Sequence, residues 1–367
     1  MNSNRKNVIV ITSKDPYSIK EILTLVESLD YNVAKIITQK RLGYGKYGIG
    51  YGKLLELKEW LKNNKVDFII FDEKLSVSKT YNLAKVTQIL VMDRERLILN
   101  IFNERAFTEE AKLQVKLAEL KYEIPRAREK VRLAKLGEQP GFYGLGKYEV
   151  DVYFRDLKRR ISIITKKLKK VSKRRNLYRE RRESLGLRTL ALAGYTGSGK
   201  TTLFNLLAKE YKDTHRGVFT TLSPVTRSIM INAKKVLLLD TVGFIERLPP
   251  YMIEAFKSTL EELIYSNLIL LLIDISEDNS VIMRKYKTCQ EILNELNVSN
   301  SKILLVFNKA DLLPKEELEL KVKLLRKYEP RVIISAKSGF GLGTLMEELE
   351  KRLIGEKILE EIKDRSP

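Results

Sequence analysis

The chain of 367 residues holds one cysteine, Cys289, one histidine, His215, and one tryptophan. A lone cysteine excludes an intrachain disulfide, so a reducing, cytoplasmic setting is expected. No second histidine or cysteine is present to build a zinc site, and His215 is expected to be an ordinary loop residue. The apolar run Leu268–Ile273 is far shorter than the ~20 residues needed to span a bilayer. The run Val8–Ile11 near the N-terminus is too short for a signal-peptide core. Stable membrane insertion is therefore not expected. There is no internal repeat and no long low-complexity tract.

Positive charge is abundant and unevenly placed. The formal net charge is +21; residues 1–186 contribute +18 of it and residues 187–367 only +3. The stretch Arg155–Arg182 alone carries 14 basic and 2 acidic residues. Such asymmetry points to a polyanionic partner for the N-terminal half. A hydrophobic fraction of 44% fits a folded globular protein.

Three blocks are expected. Residues 1–105 alternate strand-like runs (Val8–Thr12, Val33–Thr38, Val66–Phe71, Gln88–Met92) with amphipathic segments, the pattern of a small parallel α/β domain. Residues 106–185 switch to heptad spacing: Leu113, Leu117, Leu120, Ile124, Ala127, Val131 and Ala134, then Val150, Phe154, Leu157, Ile161, Ile164, Leu168 and Val171. Two such helices joined by a short connection make an antiparallel coiled-coil hairpin, with the second helix strongly basic. Pro125 is expected to kink or interrupt the first helix. Residues 187–355 return to alternating strands and helices, several strands being continuous apolar runs, as in a parallel sheet covered on both faces. Residues 356–367 form a short charged tail.

Gly194-Tyr195-Thr196-Gly197-Ser198-Gly199-Lys200-Thr201 fits G-x-x-x-x-G-K-[ST] between an expected strand and an expected helix beginning near Thr202. Its glycines let backbone N–H groups wrap phosphates at a helix N-terminus. Lys200 would reach the β- and γ-phosphates and Thr201 would ligate Mg²⁺. Asn308-Lys309-Ala310-Asp311 follows an apolar strand; the Asp311 carboxylate can accept from N1–H and the 2-amino group of guanine, a donor pair adenine lacks. Ser335-Ala336-Lys337 follows a later strand and its backbone would meet the guanine carbonyl. Between these motifs, Thr221 (with Thr220 beside it) would complete the Mg²⁺ shell, Asp240 would hold the ion through water, and the Gly243 amide would meet the γ-phosphate. The catalytic set is thus Lys200, Thr221 and Gly243, acting on GTP and releasing GDP.

Phe244 occupies the position after that glycine, where many GTPases carry a glutamine that orients the attacking water. Slow intrinsic hydrolysis is expected, with a trans partner ordering the switches. Arg216, Arg227 and Arg247 are candidate cis arginines for the transition state, each reading more readily as a surface or partner-contact residue. Two other segments interleave aromatic and basic residues among glycines: Arg41–Lys53 reads as a contact for RNA or a second nucleotide or as a plain loop, and Gly137–Glu149 as a contact to rRNA or as a mere connector of the hairpin helices.

The order of these motifs is that of the translation-factor-class GTPases, and "GYTGSGKTTLFN", "FTTLSPVTR" and "DTVGFIERLP" resemble the HflX family. Upstream, Gly50–Leu57, Asp67–Ser76 and Leu113–Arg126 look like that family's N-terminal and helical regions. The resemblance implies a Ras-like P-loop GTPase domain behind the α/β domain and hairpin. It also implies association with the large ribosomal subunit and its rRNA, here as a monomer of the archaeal type without an extra C-terminal domain. Gly197 departs from the asparagine of many members, a residue linked to bound K⁺ in related GTPases. The same residues also admit a nucleotide-gated RNA-binding protein with negligible turnover, or a regulatory GTPase docked on acidic lipid.

Overall fold

The structure, a computed structural model, describes residues 5–135, 147–209, 218–219, 222, 224–325 and 331–355. Its elements group into two compact units. One comprises residues up to Lys169 together with Pro249–Ala255, and the other Lys170–Leu248 with Phe256 onward. This division falls within a helix, whereas the sequence placed a boundary at residues 185–187.

In the first unit the elements run β1 (Asn7–Ser13), α1 (Pro16–Glu27), β2 (Asn32–Gln39), α2 (Tyr51–Asn63), β3 (Phe68–Phe71), α3 (Val77–Thr87), β4 (Leu90–Asp93) and α4 (Arg94–Arg105). The sheet has order β2-β1-β3-β4 and every pairing is parallel. Ile9, Ile11, Ile69 and Phe71 alternate along β1 and β3 onto one face, where they pack with Leu54 and Leu57 of α2 and Leu83 of α3. Asp15 opens α1 by accepting from the Tyr17 amide, ahead of Pro16 in the first turn. The glycine-rich segment after β2 is tied down: Lys79 donates to the Gly43 carbonyl, and the Gln39 amide oxygen accepts from the Gly50 N–H at 2.8 Å. Tyr44 and Tyr51 stay exposed.

Helices α5 (Glu109–Lys135) and α6 (Lys147–Ser184) follow. Leu120, Ala127 and Leu157 form a cluster flanked by Ile124, Phe154, Ile161 and Ile164, the seam that the heptads predicted. The expected interruption at Pro125 is absent, since α5 runs through it as one element. Burial of Leu120 and Ala127 on either side offsets the ~3 kcal/mol that an interior proline costs a helix. The connection between the two helices, with Phe142 and Tyr143, lies outside the described residues. A short helix from later in the chain, Pro250–Ala255 (α8 in chain order), also belongs to this unit. Its Tyr251 hydroxyl donates to Glu95 at 3.0 Å and its Glu254 pairs with Lys121 at 2.5 Å.

The second unit contains β5 (Arg188–Gly194), α7 (Lys200–Ala208), β6 (Val225–Ile231), β7 (Lys234–Asp240), α9 (Lys257–Tyr265), β8 (Leu268–Asp274), α10 (Asn279–Glu295), β9 (Ile303–Asn308), α11 (Lys315–Leu324), β10 (Arg331–Ile333) and α12 (Leu342–Leu353). The sheet order is β10-β9-β8-β5-β7-β6, parallel throughout except for the β6–β7 hairpin. Every residue of β8 is buried, as a strand with both faces covered requires. The adjacent strands β7, β5, β8 and β9 end at Asp240, Gly194, Asp274 and Asn308, so three motif-bearing termini and Asp274 meet at one edge of the sheet. That carboxyl edge is where open α/β sheets bind ligands. Among the described residues no helix is long and apolar enough to cross a membrane.

Candidate functional site

Between β5 and α7 the chain turns through Gly194, Gly197 and Gly199, all at positive φ. A side chain at Gly194 would lie 2.3 Å from the Leu272 carbonyl oxygen, and one at Gly199 2.2 Å from Asn308 Nδ2. Only glycine allows the loop to lie this close to β8 and β9. Lys200, the first residue of α7, is buried, and its ammonium donates to the carbonyls of Gly194 at 3.0 Å and Tyr195 at 2.9 Å. Burial pushes its pKa down to about 8, although the Asp240 carboxylate acts in the opposite direction. Thr202, in the first turn of α7, is half-buried.

Thr201 donates from its hydroxyl to Asp240 at 3.1 Å, both residues being buried. A hydroxyl and a carboxylate at the mouth of a phosphate loop form a hard-oxygen pair that suits Mg²⁺. Thr221, the third expected ligand, lies outside the described residues, as do Thr220, His215 and Arg216. No cluster of three or more His, Cys, Asp or Glu able to hold a metal occurs among the described residues.

Asn308 joins three motifs. Its Nδ2 donates to the Ser198 carbonyl at 2.8 Å and its Oδ1 accepts from the Ala336 N–H at 2.9 Å. The Ala336 amide, one of the backbone groups in the Ser335–Lys337 tripeptide expected to meet the guanine carbonyl, is thus engaged by Asn308. Ser335 donates to one oxygen of Asp311 at 2.6 Å, orienting a carboxylate that is otherwise exposed. Lys309, in the left-handed region at φ 69°, pairs with Asp274 at 2.7 Å, while Lys337 is exposed. The Asp274–Lys309 pair was not anticipated, although an acidic residue ending an apolar strand beside the Asn308 motif is a usable signal.

Gly243 sits against the phosphate loop: a Cβ there would lie 2.9 Å from Thr196 Cγ2 and 3.0 Å from Lys200 Nζ. The next residue, Phe244, is 2% exposed. Its N–H donates to the Gly194 carbonyl at 3.0 Å and its carbonyl accepts from Thr196 at 2.8 Å. Of the arginines considered from sequence, Arg227 is exposed with its guanidinium on the Thr226 carbonyl, and Arg247 follows in the left-handed region. The arrangement gathers a cation, a hydroxyl–carboxylate pair and the phosphate loop at one edge of the sheet, with the Asp311 carboxylate close by in the chain.

Known proteins resemble this chain along most of its length. Residues 16–103 match the family profile described as GTP-binding GTPase N-terminal, residues 105–182 the GTP-binding GTPase middle region, and residues 189–309 the 50S ribosome-binding GTPase. The chain is 45% identical to GTPase HflX of Methanocaldococcus jannaschii, covering 92% of this chain and 84% of that one. It is 41% identical to its counterpart in Thermococcus kodakarensis (94% and 79%) and 34% identical to that of Escherichia coli K12 (94% and 80%). Among solved structures, the Sulfolobus solfataricus GTP-binding protein in complex with GDP is similar, with TM-score 0.51, 29% identity and coverage of 95% and 98%. A structure described as the SsGBP and GDP complex gives TM-score 0.54 at 30% identity, with coverage of 94% and 98%.

Proposed function

Because the chain belongs to the HflX family of GTPases, we propose that it couples its hydrolysis of GTP to association with the large ribosomal subunit in the cytoplasm. The observation that carries this reading is the exposed basic surface of α6, where Lys166, Lys167, Lys169, Lys170, Lys173 and Arg174 all face solvent. Such a row neutralises the phosphates of a structured RNA without needing a sequence to read.

In the same reading, GTP lies along the carboxyl edge of the second sheet. Lys200 holds the β- and γ-phosphates, the amides of Gly197 and of Gly199 to Thr202 wrap them, and Asp311 selects guanine. Thr201, Asp240 and Thr221 would hold Mg²⁺, which supplies charge stabilisation on the phosphoryl oxygens when bound. The Gly243 N–H donates to the γ-phosphate and moves away once that group has left. Phe244 gives no hydrogen bond to water from its side chain. Group orientation and charge stabilisation supplied in trans are worth about 10³–10⁵ in rate in other GTPases. The site is therefore expected to be slow alone and accelerated by its partner.

The test is GTP turnover by the purified protein, alone and with large ribosomal subunits of the same organism, across a salt series. Stimulation of at least about ten-fold that declines with added salt supports the reading. A rate unchanged by saturating subunits refutes it.

A further inference from the structure

We infer that Tyr195 is a positioning residue for GTP hydrolysis, its hydroxyl and main chain fixing the residues that follow Gly243 against the phosphate loop. Tyr195 stands at the second position of the glycine-rich loop and is 3% exposed. Its hydroxyl accepts from the Glu246 N–H at 2.9 Å. Its main chain forms a short parallel bridge with Phe244, flanked by the Phe244 N–H to Gly194 carbonyl bond at 3.0 Å and the Thr196 N–H to Phe244 carbonyl bond at 2.8 Å. Upstream, the Thr241 hydroxyl donates to the Leu192 carbonyl at 2.7 Å. Residues 241, 244 and 246 are thus each bonded to β5 or to the loop that leaves it, and Gly243 lies between the fixed points.

Helix α10 braces this arrangement from behind. Arg284 donates from Nε to both carboxylate oxygens of Glu246 at 3.0 and 2.9 Å. The Lys285 ammonium lies 4.9 Å from the centre of the Tyr195 ring and pairs with Glu277 at 2.6 Å. A buried phenol costs free energy unless its hydroxyl is hydrogen-bonded. Here the bond runs to the segment after Gly243, so phenylalanine would fill the space without the attachment.

The consequence for the reaction follows from Phe244. With no glutamine side chain at that position, the Gly243 amide is the group this segment brings to the γ-phosphate. Its placement then depends on the bonds that hold its neighbours. This step rests on the role proposed above for Gly243.

The test is Tyr195→Phe, which removes one oxygen atom. Single-turnover hydrolysis at saturating GTP should slow about three- to ten-fold, the weight of one hydrogen bond expressed in the rate. Affinities for GTP and GDP should stay within about two-fold, because the hydroxyl contacts protein rather than nucleotide. Hydrogen–deuterium exchange over residues 243–248 should accelerate in the same variant. An unchanged hydrolysis rate overturns the inference, whether or not exchange accelerates. Rate and affinity falling together also overturns it, because the hydroxyl would then serve the binding loop as a whole. Gly243→Ala separates the premise: full activity there removes the role of Gly243, whereas a loss there beside an unaffected Tyr195→Phe removes only the role of Tyr195.

Discussion

Replacing Asn308 by alanine tests whether the candidate site is one connected structure. The side chain is 2% exposed and makes two hydrogen bonds to main chain, to the Ser198 carbonyl at 2.8 Å and from the Ala336 N–H at 2.9 Å. Alanine removes both and leaves a buried acceptor and a buried donor behind. Each orphaned group costs roughly 1–3 kcal/mol, so with some relaxation the total is about 2–4 kcal/mol. For a unit of this size a kcal/mol corresponds to about 2–4 °C in Tm, so a fall of about 4–16 °C is expected in thermal unfolding. GDP affinity, measured with a fluorescent nucleotide, should fall at least about ten-fold, because the loop carrying Ser198 and the segment carrying Ala336 lose their common anchor. Asn308→Asp sharpens the test. It keeps an acceptor for Ala336 but turns a carboxylate toward the Ser198 carbonyl, so it should be no better than alanine despite its equal size. If Asn308→Ala kept its Tm within about 1 °C and its GDP affinity within about three-fold, the bonds to Ser198 and Ala336 would not be what holds the site.

Asp311→Asn should move preference from guanine to xanthine nucleotides in competition binding, and retained GTP preference would remove Asp311 from base recognition. Lys200 is held at about 8 against an ordinary value of 10.5, so the unfolded chain binds more protons between those values and stability should rise with pH across that window. Phosphate favours the ammonium, so GDP affinity should fall by up to about ten-fold per pH unit above about 8, with proton uptake visible by calorimetry in buffers of different ionisation enthalpy; affinity constant to pH 9.5 would contradict this. Arg94 is buried between Glu21 and Asp72, pairing with Asp72 at 2.7 Å. Arg94→Leu should destabilise the first unit by about 3–5 kcal/mol, because the carboxylates stay buried without their cation. Trp60, the single tryptophan, reports that unit, and its urea midpoint should drop by about 1–3 M; a shift under about 0.3 M would refute the reasoning. Exchanging Lys166, Lys167, Lys169 and Lys170 for glutamine should weaken RNA binding and flatten its salt dependence by about 0.7–0.9 in log–log slope for each phosphate no longer neutralised; an unaltered slope would move the RNA-binding surface elsewhere.

The phosphate loop and the Asn308 motif were legible because their chemistry needs particular residues at fixed spacing after a strand. The residues of those motifs that the structure describes lie at the carboxyl edge of one sheet. The heptads likewise announced the pairing of α5 with α6. What the sequence did not reveal depends on contacts between distant positions. Glu21, Asp72 and Arg94 meet across the first unit with no local pattern to mark them. The Tyr195 hydroxyl finds an amide 51 positions away, and neither residue type is unusual in its own neighbourhood. At Pro125 the local rule allowed a kink or an interruption, and of the two the interruption is absent because α5 continues through it as one element. Nor does composition show that Pro249–Ala255, a few residues beyond Gly243, belongs to the first unit, because an ordinary amphipathic turn carries no label for the surface it packs on.

The same distinction changes how the positive charge should be read. Arg155–Arg182 looks uniformly basic, yet some of its charge is committed within the protein. Arg179 is 6% exposed, pairs with Glu262 at 2.9 Å and stacks 4.1 Å from the centre of the Tyr265 ring. Arg182 also reaches Glu262, at 3.3 Å, and Asp156 takes up Arg160 at 2.7 Å. A guanidinium fits such work through its planar fork and its stacking face, whereas an ammonium on a flexible stem stays hydrated. The lysines at 166, 167, 169, 170 and 173 remain at the surface, as do Arg159 and Arg174, so only part of the helix's basic charge is committed within the protein. Arg179 and Arg182 fasten its C-terminal turns to α9 through Glu262, and the exposed lysines and arginines before them stay at the surface. The charge available to a partner is therefore smaller than the sequence count, and it is concentrated on the turns that precede the anchor.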